Sequence, residues 1–390
     1  MTPRVIIIGG GVIGSAIAYF LSADPTFEGS VAVIERDSTY EIASSALSVS
    51  SIRQQFSTEI NIKISQFGIE FLRNLSDYLG VEGDRPDVGL VERGYLYLVA
   101  ESGVATLRQN YEIQRQAGVD VALFDVDTLR ERFPWIATDG LAIGSLGLSG
   151  EGWFDGYLLL QSFRKKAISQ GVEYISGTVV DVEVAGDRAR SVLLSGGTKH
   201  EFDVVVNAAG PWAATIADML HTPLPVRARR RCVYHFSCAE EMPNCPLVID
   251  TSGVWFRPEG NGIVCGFTPE PEDDQDGMEL RVDHKAFENF VWPTLAERVP
   301  SFDSIRVLRS WAGYYEMNTF DQTGIVGRHP TLTNTYFANG FSGHGLQQSP
   351  AVGRGIAELI AHDHYQTLDL TPLSYERILR NEPLLELNVI

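Results

Sequence analysis

A glycine-rich turn between two apolar runs constrains the fold more than any other feature of this chain. Residues 4–8 read Arg-Val-Ile-Ile-Ile, a glycine-rich segment follows at residues 9–14, and a second apolar run at residues 31–34 ends at Glu35. A continuous β-branched run suits a strand that is buried on both faces. Residues 12–22 place apolar side chains on one side of a helix. Strand, glycine turn, helix and strand together predict a βαβ unit of an α/β fold.

The same turn predicts a ligand. Gly9, Gly11 and Gly14 satisfy the pattern G-x-G-x-x-G, whose glycines allow a tight turn, a close approach of the backbone to a pyrophosphate, and close packing of helix on strand. The helix N-terminus then faces negative charge. Glu35 would accept hydrogen bonds from a ribose and would disfavour a 2′-phosphate there. In this strand–helix–strand context the motif predicts a bound dinucleotide.

Length and composition exclude several classes of protein. The chain has 390 residues, which at about 150 residues per domain indicates two domains or one large composite. Hydrophobic residues make up 44% and charged residues 21%, which argues against a disordered chain and a membrane bundle. The net charge of −19 would repel phosphate backbones, so we expect no nucleic-acid partner. An anionic substrate would need its own local basic residues.

Two further absences in the sequence bear on location and metals. No stretch approaches about 20 uninterrupted apolar residues, so we expect no transmembrane segment and a soluble, cytoplasmic protein. The four cysteines lack the C-x-x-C spacing of a zinc or redox site. This spacing favours structural thiols in a reducing compartment and predicts no metal centre.

The pattern along the chain predicts that a second domain interrupts the first. Residues 203–210 resemble a strand that returns to the nucleotide-binding unit, whereas residues 225–320 are β-rich. Residues 254–267 read as a hairpin with a glycine-containing turn. Residues 268–279 are rich in Pro, Glu and Asp, and we expect them to form an exposed acidic loop.

A second glycine-rich turn opens a helix at residues 340–355 and bears on the choice between FAD and NAD. The first motif does not separate these two dinucleotides. A reduced flavin carries negative charge at its N1–C2 carbonyl edge, and a helix N-terminus there would stabilise it. An ordinary capped helix would give the same pattern, so this turn alone leaves the choice open.

Four motifs in one order carry a family resemblance. They are the first glycine turn with Glu35-Arg36, the small-residue stretch at residues 43–48, Val-Asn-Ala-Ala-Gly-Pro-Trp at residues 206–212, and Gly-Phe-Ser-Gly-His-Gly at residues 340–345 followed by Ser349-Pro350. Together they resemble the D-amino-acid oxidase superfamily, which contains glycine, sarcosine and D-amino-acid oxidases and dehydrogenases. The chain resembles in particular the sarcosine oxidase and FAD-dependent oxidoreductase-domain branch, over essentially its whole length.

The resemblance implies a Rossmann-like FAD-binding domain with an inserted antiparallel-sheet substrate domain. The FAD-binding domain would comprise residues 1–90, 155–225 and 321–390, and the substrate domain residues 91–154 and 226–320. The substrate would lie against the flavin between them. The residues that the resemblance assigns to FAD are Gly9, Gly11, Val12, Ile13, Gly14, Glu35, Arg36, Ser44, Ser45, Val180 (at the adenine), Ala209, Gly210, Trp212, Gly313, Gly343, His344, Gly345, Leu346 and Gln347.

Departures from the family pattern change the expected chemistry. Sarcosine-oxidase-like members bind FAD covalently through a Cys where this chain reads Gly-Tyr-Tyr-Glu at residues 313–316, and the stretch around Ser44 lacks the His of other covalent members. We therefore expect non-covalent FAD and a structural role for Cys232. The strand that carries an oxygen-promoting Lys in monomeric sarcosine oxidases reads Ile-Val-Cys at residues 263–265. Without that charge we expect a slow reaction with oxygen, and oxidase and dehydrogenase both stay open.

Arg53 is the main candidate for binding a substrate carboxylate. The Arg clamp of glycine and D-amino-acid oxidases is missing, because Trp-Ala-Gly at residues 311–313 is followed by Tyr314 and Tyr315. The sarcosine-oxidase pattern uses an Arg after the small-residue stretch, which Arg53 matches, and a Lys in the second glycine turn, which Gln347 replaces. A guanidinium can hold a carboxylate through two parallel hydrogen bonds. Tyr314 and Tyr315 are candidates for one wall of the substrate pocket.

Other basic residues are weaker candidates. Of the arginines at residues 227–231, alternate side chains of a strand would point to opposite faces, so we expect most to be solvated and one or two to face the cleft. Arg257 adds positive charge to the same region. His344 could act as a base, although packing against the flavin is the simpler expectation.

These residues predict an enzyme that oxidises the C–N bond of an amino acid or an N-substituted amino acid. The α-hydrogen would pass to flavin N5 as a hydride, the imine would hydrolyse, and oxygen or another acceptor would take the electrons. One alternative is a 2-hydroxy acid or glycerol-phosphate dehydrogenase. Another is a flavoprotein that acts in assembly or electron transfer without turnover of its own.

Overall fold

The computed structural model describes residues 2–270 and 272–387. In chain order the strands are β1 (Arg4–Ile8), β2 (Ser30–Glu35), β3 (Ser51–Ile52), β4 (Tyr95–Val99), β5 (Val121–Asp125), β6 (Ile143–Gly147), β7 (Gly152–Trp153), β8 (Glu173–Ser176), β9 (Val179–Ala185), β10 (Arg188–Leu194), β11 (Lys199–Glu201), β12 (Val204–Asn207), β13 (Val226–Ser237), β14 (Leu247–Ile249), β15 (Trp255–Glu259), β16 (Gly262–Gly266), β17 (Arg306–Asn318), β18 (Ile325–Arg328) and β19 (Thr335–Asn339).

The helices complete the list of elements. They are α1 (Val12–Ala23), α2 (Ser44–Leu47), α3 (Glu59–Arg73), α4 (Leu75–Leu79), α5 (Val104–Gln116), α6 (Val126–Arg132), α7 (Gly156–Ser169), α8 (Ala213–Met219), α9 (His284–Ala286), α10 (Trp292–Arg298), α11 (Gly345–His362) and α12 (Glu376–Leu379). A π-helical turn, Phe287–Val291, joins α9 to α10. None of the helices in the described parts of the chain is long and apolar enough to cross a membrane.

A six-stranded sheet carries the first glycine turn. Its strand order is β18-β19-β12-β1-β2-β8, and β1 pairs in parallel with both β2 and β12. Val5, Ile6 and Ile7 have no exposed surface, as expected for a strand buried on both faces. The glycine turn leads from β1 into α1, which packs against α7 and α11. The predicted βαβ unit is therefore present.

The second large sheet has eight strands. Its order is β17-β13-β16-β15-β14-β4-β6-β5, and the expected hairpin is β15 with β16. The pairing of β14 with β4 is parallel, whereas β4 with β6 and β14 with β15 are antiparallel. The sheet is antiparallel as expected except at this one pair. The strands β4 and β14 come from distant stretches of chain, so no tight turn forces them to run in opposite directions.

The mixed α/β architecture is confirmed, and the structure sets the bounds of two helices. The apolar positions of residues 57–79 fit one amphipathic helix, but the structure forms α3 and α4, separated at Asn74, whose side-chain amide donates to the carbonyl of Glu70 at 2.9 Å. The helix that the second glycine turn opens begins at Gly345, in the turn itself. The division of the chain into two domains by residue ranges stays a prediction.

Candidate functional site

A long cleft runs between the two sheets, from the carboxyl ends of β1 and β2 to the face of β17. It collects most of the residues predicted for the cofactor, although they come from distant parts of the chain. Those that line it are Gly9, Gly11, Val12, Ile13, Glu35, Arg36, Ser44, Ser45, Ala209, Gly210, Trp212, Gly313, Gly343, Gly345 and Leu346, together with Tyr314 and Tyr315. Gly14, Arg53, Val180, His344 and Gln347 do not line it.

The first glycine turn is built for close approach. Gly9 has φ +105, and a Cβ on Gly14 would lie 1.9 Å from the carbonyl oxygen of Gly9, so the role of Gly14 is packing. Helix α1 begins after Gly11 without a side-chain cap. The N–H of Val12 donates to Ser45 Oγ at 3.1 Å. An uncapped helix N-terminus at the cleft fits a pyrophosphate.

Glu35 and Ser44 add polar groups to this end of the cleft. Glu35 accepts hydrogen bonds from the N–H of Gly10 at 2.7 Å and of Asp37 at 2.8 Å. Burial raises the pKa of Glu35 above its ordinary value. Each carboxylate oxygen keeps a second lone pair, which a ribose hydroxyl could use. Within the described residues the buried Oγ of Ser44 has no hydrogen-bond partner. These groups fit a bound dinucleotide.

The strand that carries Val180 borders this end of the cleft. Val180 has 45% of its surface exposed and does not line the cleft, whereas Val179 has 8% exposed and lines it with Gly177 and Thr178. Neighbouring residues on a strand point to opposite faces. The adenine contact of Val180 stays a prediction. Arg36 lies over the ring of Trp212, 4.3 Å from its centroid, and closes this end of the cleft.

The second glycine turn forms the far end of the cleft. Gly343 has φ +90, and a Cβ there would lie 2.4 Å from the ring of Tyr315. Helix α11, 18 residues long, begins at Gly345, so its N-terminus lines the cleft as Gly345 and Leu346 do. Tyr314 donates from its hydroxyl to the carbonyl of Met278 at 2.8 Å. The cleft therefore has a helix N-terminus at each end, as a flavin dinucleotide requires.

Glu316 is a cleft residue that the sequence analysis passed over. It follows Tyr315 on β17 and accepts from the N–H of Gly340 at 3.1 Å. Burial raises its pKa from 4.5 to about 7, even though the N–H groups of Gly340 and Phe341 donate to it. No Lys, Arg or His among the described residues forms an ion pair with it. In the sequence, Glu316 stands out only by following Tyr315. The residues around it do not show that its carboxylate will meet Gly340, which lies 24 positions away.

Arg53 lies beside the cleft and lines a smaller cavity together with Tyr97. Its guanidinium donates to the hydroxyl of Tyr97 and to the carbonyl of Gln55, and lies 4.3 Å from the ring centroid of Phe56. Its backbone N–H donates to Gln347 Oε1 at 2.7 Å. The structure thus brings Arg53 and Gln347 together. The sequence analysis did not identify Tyr97 as a partner of Arg53, because the sequence does not show that strand β4 will face the loop that carries Arg53.

His344 holds the guanidinium of Arg53 in place. Its Nε2 lies 3.1 Å from Arg53 Nη2. Because a guanidinium only donates hydrogen bonds, Nε2 must accept and the ring proton lies on Nδ1. Burial, and then the charge of Arg53, lower the pKa of His344 to about 3. A neutral imidazole whose free lone pair is already engaged by Arg53 fits an orienting role better than that of a base.

Glu151 fixes the loop that carries Arg53. Its side chain has no exposed surface and accepts from the N–H of Gln54 at 2.6 Å, the N–H of Gln55 at 3.0 Å and the amide of Gln55 at 2.9 Å. The Gln55 amide also donates to the carbonyl of Tyr95 at 3.0 Å. This network ties residues 53–55 to β4, so the position of Arg53 relative to Tyr97 is set by buried hydrogen bonds.

The described residues of the acidic loop are largely exposed, as expected, but Asp274 is half-buried. Asp274 accepts two hydrogen bonds from Arg231, at 2.6 and 2.8 Å, and the side chain of Arg231 is buried. Asp276 pairs with Arg227 and Arg229 on the same strand. Arginines on alternate positions of β13 attract the loop electrostatically. Arg231 lines the cleft, as expected for one of the arginines in this run.

Two residues bear on the expected flavin chemistry. Cys232 lines the cleft, and its Sγ accepts from the N–H of Asp283 at 3.4 Å. Arg257 lies on β15 opposite Val264 of β16, donates to the carbonyl of Val49 and pairs with Glu259. The guanidinium of Arg257 thus lies next to Val49, which lines the cleft, and its charge is paired with the carboxylate of Glu259. Within the described residues there is no cluster of acidic, His and Cys side chains that could hold a metal ion.

Comparisons with known proteins agree with this geometry. A family model described as FAD dependent oxidoreductase matches residues 4–359. FAD-dependent oxidoreductase domain-containing protein 1 of Xenopus laevis is 43% identical over 99% of this chain and 84% of its own length. The structure of L-proline dehydrogenase from P. horikoshii has a TM-score of 0.86 and 26% identity, covering 98% of this chain and 99% of that one. Glycine oxidase from Geobacillus kaustophilus has a TM-score of 0.82 and 25% identity, covering 96% and 98%.

Proposed function

Because the chain belongs to the family of FAD-dependent oxidoreductases, we propose that it oxidises the C–N bond of an amino acid or an N-substituted amino acid. The observation that carries this proposal is Arg53, a largely buried guanidinium that has no carboxylate among its hydrogen-bond partners within residues 2–270 and 272–387. The similarity to proteins named glycine oxidase and L-proline dehydrogenase supports the same class of substrate.

The surroundings of Arg53 support an anionic ligand. The carboxylates whose charges act on it, Glu386 and Glu151, are each held by other donors. Glu386 is bound by Ser57 and by the side-chain amide of Asn61 at 2.7 Å. An enclosed guanidinium without its own carboxylate is unfavourable, and a substrate carboxylate would relieve that cost while keeping two charge-assisted hydrogen bonds.

The remaining residues would position the cofactor and the substrate. Gly9, Gly11 and Ser44 would hold the pyrophosphate of FAD, Glu35 its ribose, and the N-terminus of α11 its ring. Bound FAD supplies the two-electron acceptor for the substrate's α-hydrogen. Tyr315 would cover the substrate and exclude water, and Arg53 would hold its carboxylate, with His344 and Gln347 orienting that arginine. No residue needs to act as a strong base, because positioning supplies much of the effect.

The test is an anaerobic substrate panel. We expect an amino acid or N-alkyl amino acid to bleach the flavin absorbance of the purified protein, whereas the matching amine without a carboxylate does not. Arg53 would bind a 2-hydroxy acid equally well, so the panel includes 2-hydroxy acids and glycerol phosphate. Bleaching by these alone would replace C–N oxidation by C–O oxidation. Bleaching by none would favour a partner in assembly or electron transfer.

Two further parts of the proposal concern the flavin itself. We propose that FAD is bound non-covalently, so denaturation should release all flavin into the supernatant; flavin in the pellet would overturn this.

We also propose that the reduced enzyme reacts slowly with oxygen, because Arg257 is already paired with Glu259. Rapid reoxidation in air would identify an oxidase, and preference for an artificial dye would identify a dehydrogenase. The cytoplasmic location stays a prediction.

A further inference from the structure

The two arginines next to Tyr315 differ in whether the chain already supplies them with an anion. Arg231 lines the cleft and lies over the ring of Tyr315, 5.1 Å from its centroid. Arg53 lies beside the cleft and approaches the same tyrosine through the second glycine turn: His344 Nε2 is 3.1 Å from Arg53 Nη2, and the preceding Gly343 packs against the ring of Tyr315. The two guanidinium groups therefore lie near the same tyrosine, one lining the cleft and one beside it.

Arg231 already has an anionic partner, Asp274. Its two terminal nitrogens donate to the two carboxylate oxygens, and Nη1 also donates to the carbonyl of Arg230 at 2.9 Å. Only Nε lacks a partner among the described residues. The side chain of Arg231 is 8% exposed and that of Asp274 is 15% exposed, so solvent screens this pair little. A second anion at Arg231 would face the charge of Asp274 and would have to break two charge-assisted hydrogen bonds.

The segment that carries Asp274 is held in register along β13. The N–H of Gly277 donates to the carbonyl of Ala228 at 3.1 Å, and Tyr314 donates to the carbonyl of Met278. Asp276 pairs with Arg227 and Arg229, which do not line the cleft. Asp274 is therefore the carboxylate of this segment that reaches an arginine of the cleft.

From this geometry we infer that Asp274 is a specificity-determining residue that restricts the site to substrates with one carboxylate. By neutralising Arg231 it leaves Arg53 as the anion-binding group, and a second carboxylate on the substrate would meet Asp274 in place of a free guanidinium. The substituent of the substrate would then lie against Trp255, Phe267 and Tyr315, which line this end of the cleft. This inference rests on the proposed carboxylate role of Arg53.

The test uses propanoate and malonate, two inert acids that differ by one carboxylate. Binding to the flavin-loaded protein is measured from the change in flavin absorbance, at a pH above the second ionisation of malonate. We expect the wild type to bind propanoate more tightly. Asp274→Asn should shift the ratio of dissociation constants towards malonate by about tenfold or more, because it frees Arg231.

Two control variants distinguish the effect of the Asp274 charge from a structural disturbance of the segment that carries it. Asp276→Asn removes a carboxylate from the same segment outside the cleft and should leave the ratio unchanged. The double variant Asp274→Asn/Arg231→Met removes both charges and should restore the preference for propanoate. A wild type that binds malonate at least as tightly as propanoate overturns the inference without any variant, as does an equal shift from Asp276→Asn.

The outcomes also separate this inference from the proposed function. If malonate binds to Asp274→Asn while neither acid binds to the wild type, the inference holds and the carboxylate role of Arg53 is wrong. If Arg53→Ala abolishes propanoate binding but Asp274→Asn leaves the ratio of the two acids unchanged, the carboxylate role holds and the inference is wrong. If neither acid binds to either protein, both are wrong.

Discussion

The two ends of the cleft are assembled in different ways. The centre of the dinucleotide end is one continuous stretch, in which β1, the glycine turn, α1 and β2 bring Gly9, Gly11 and Glu35 together within a single βαβ unit. The end beside Tyr315 combines residues 47–49, 231–233, 313–316 and 343–346, with Arg53 and Gln347 beside it. The first end depends on local backbone geometry, and the second on how two sheets pack against each other.

The charged side chains at the two ends therefore differ in where their hydrogen-bond partners lie in the sequence. At the dinucleotide end Glu35 is met by backbone N–H groups of its own unit. At the other end Glu316, Arg53 and Arg231 rely on partners far away in sequence, and among the described residues Arg231 alone of these three has an ion pair. Changes at the first end should therefore weaken flavin binding, and should also destabilise the fold where the position is closely packed, whereas changes at the second should alter ligand binding or pH dependence while flavin stays bound.

The largest effect is expected from Gly14→Ala at the dinucleotide end. The added Cβ would lie 1.9 Å from the carbonyl oxygen of Gly9, so the turn must open. We expect loss of most bound flavin and about 3 kcal/mol of stability in the flavin-free protein. Gly11→Ala is the matched control, since its Cβ meets only Ser45 Oγ, at 3.5 Å. It should weaken flavin binding with little change in the thermal midpoint of the flavin-free protein. Equal midpoints for the two variants would contradict the close-packing role of Gly14.

At the other end, Arg53→Ala should separate substrate binding from flavin binding. Loss of a charge-assisted pair of hydrogen bonds corresponds to about 3 kcal/mol, or about a 100-fold weaker affinity for a carboxylate. Flavin content should stay at the wild-type level, because Arg53 does not line the cleft. Arg53→Lys should recover part of the affinity only, since an ammonium lacks the planar fork. Equal loss of flavin and of ligand binding would show that Arg53 supports the cofactor instead.

Glu316→Gln should change how stability depends on pH. Folding raises the pKa of Glu316 to about 7, so the folded state favours the protonated carboxyl. The wild type then loses stability as pH rises from about 4.5 to about 7, and the full penalty applies above that range. The variant should match the wild type near pH 4.5 and exceed it by about 1 to 3 kcal/mol near pH 8. Denaturant unfolding of the flavin-free protein at both pH values measures this, and a constant difference would exclude titration of Glu316.

The smallest effect is expected from Ser44→Ala. The Oγ of Ser44 has no partner among the described residues, so its removal should leave the flavin-free protein unchanged in stability while flavin affinity falls about fivefold. Ser45→Ala is the contrasting variant, because Ser45 accepts from the N–H of Val12. It should lower stability without flavin by about 1 kcal/mol. Similar losses of flavin-free stability in both variants would show that Ser44 is also bonded there.

The sequence predicted the residues that act through their own local turn and missed those that act across the cleft. The glycine pattern identified Gly9, Gly11 and Gly14 because close approach leaves no choice of side chain. Arg53 was identified through a family motif, but its partners Tyr97 and His344 lie 44 and 291 positions away. The sequence also did not show that the side chain of Val179, and not that of Val180, lines the cleft, because alternate side chains of a strand point to opposite faces.

The βαβ unit, the dinucleotide turn and the family could be predicted from the sequence, because these follow from local sterics and from the order of short motifs along one chain. Which charged groups are paired with each other depends on the folded structure. Arg231 is neutralised because β13 carries alternate arginines alongside the segment of Asp274. Arg53 has no carboxylate partner within the described residues, because the nearby carboxylates are engaged by other donors. Net charge is a sum over the sequence, but the charge that a ligand meets depends on which side chains the fold pairs with each other.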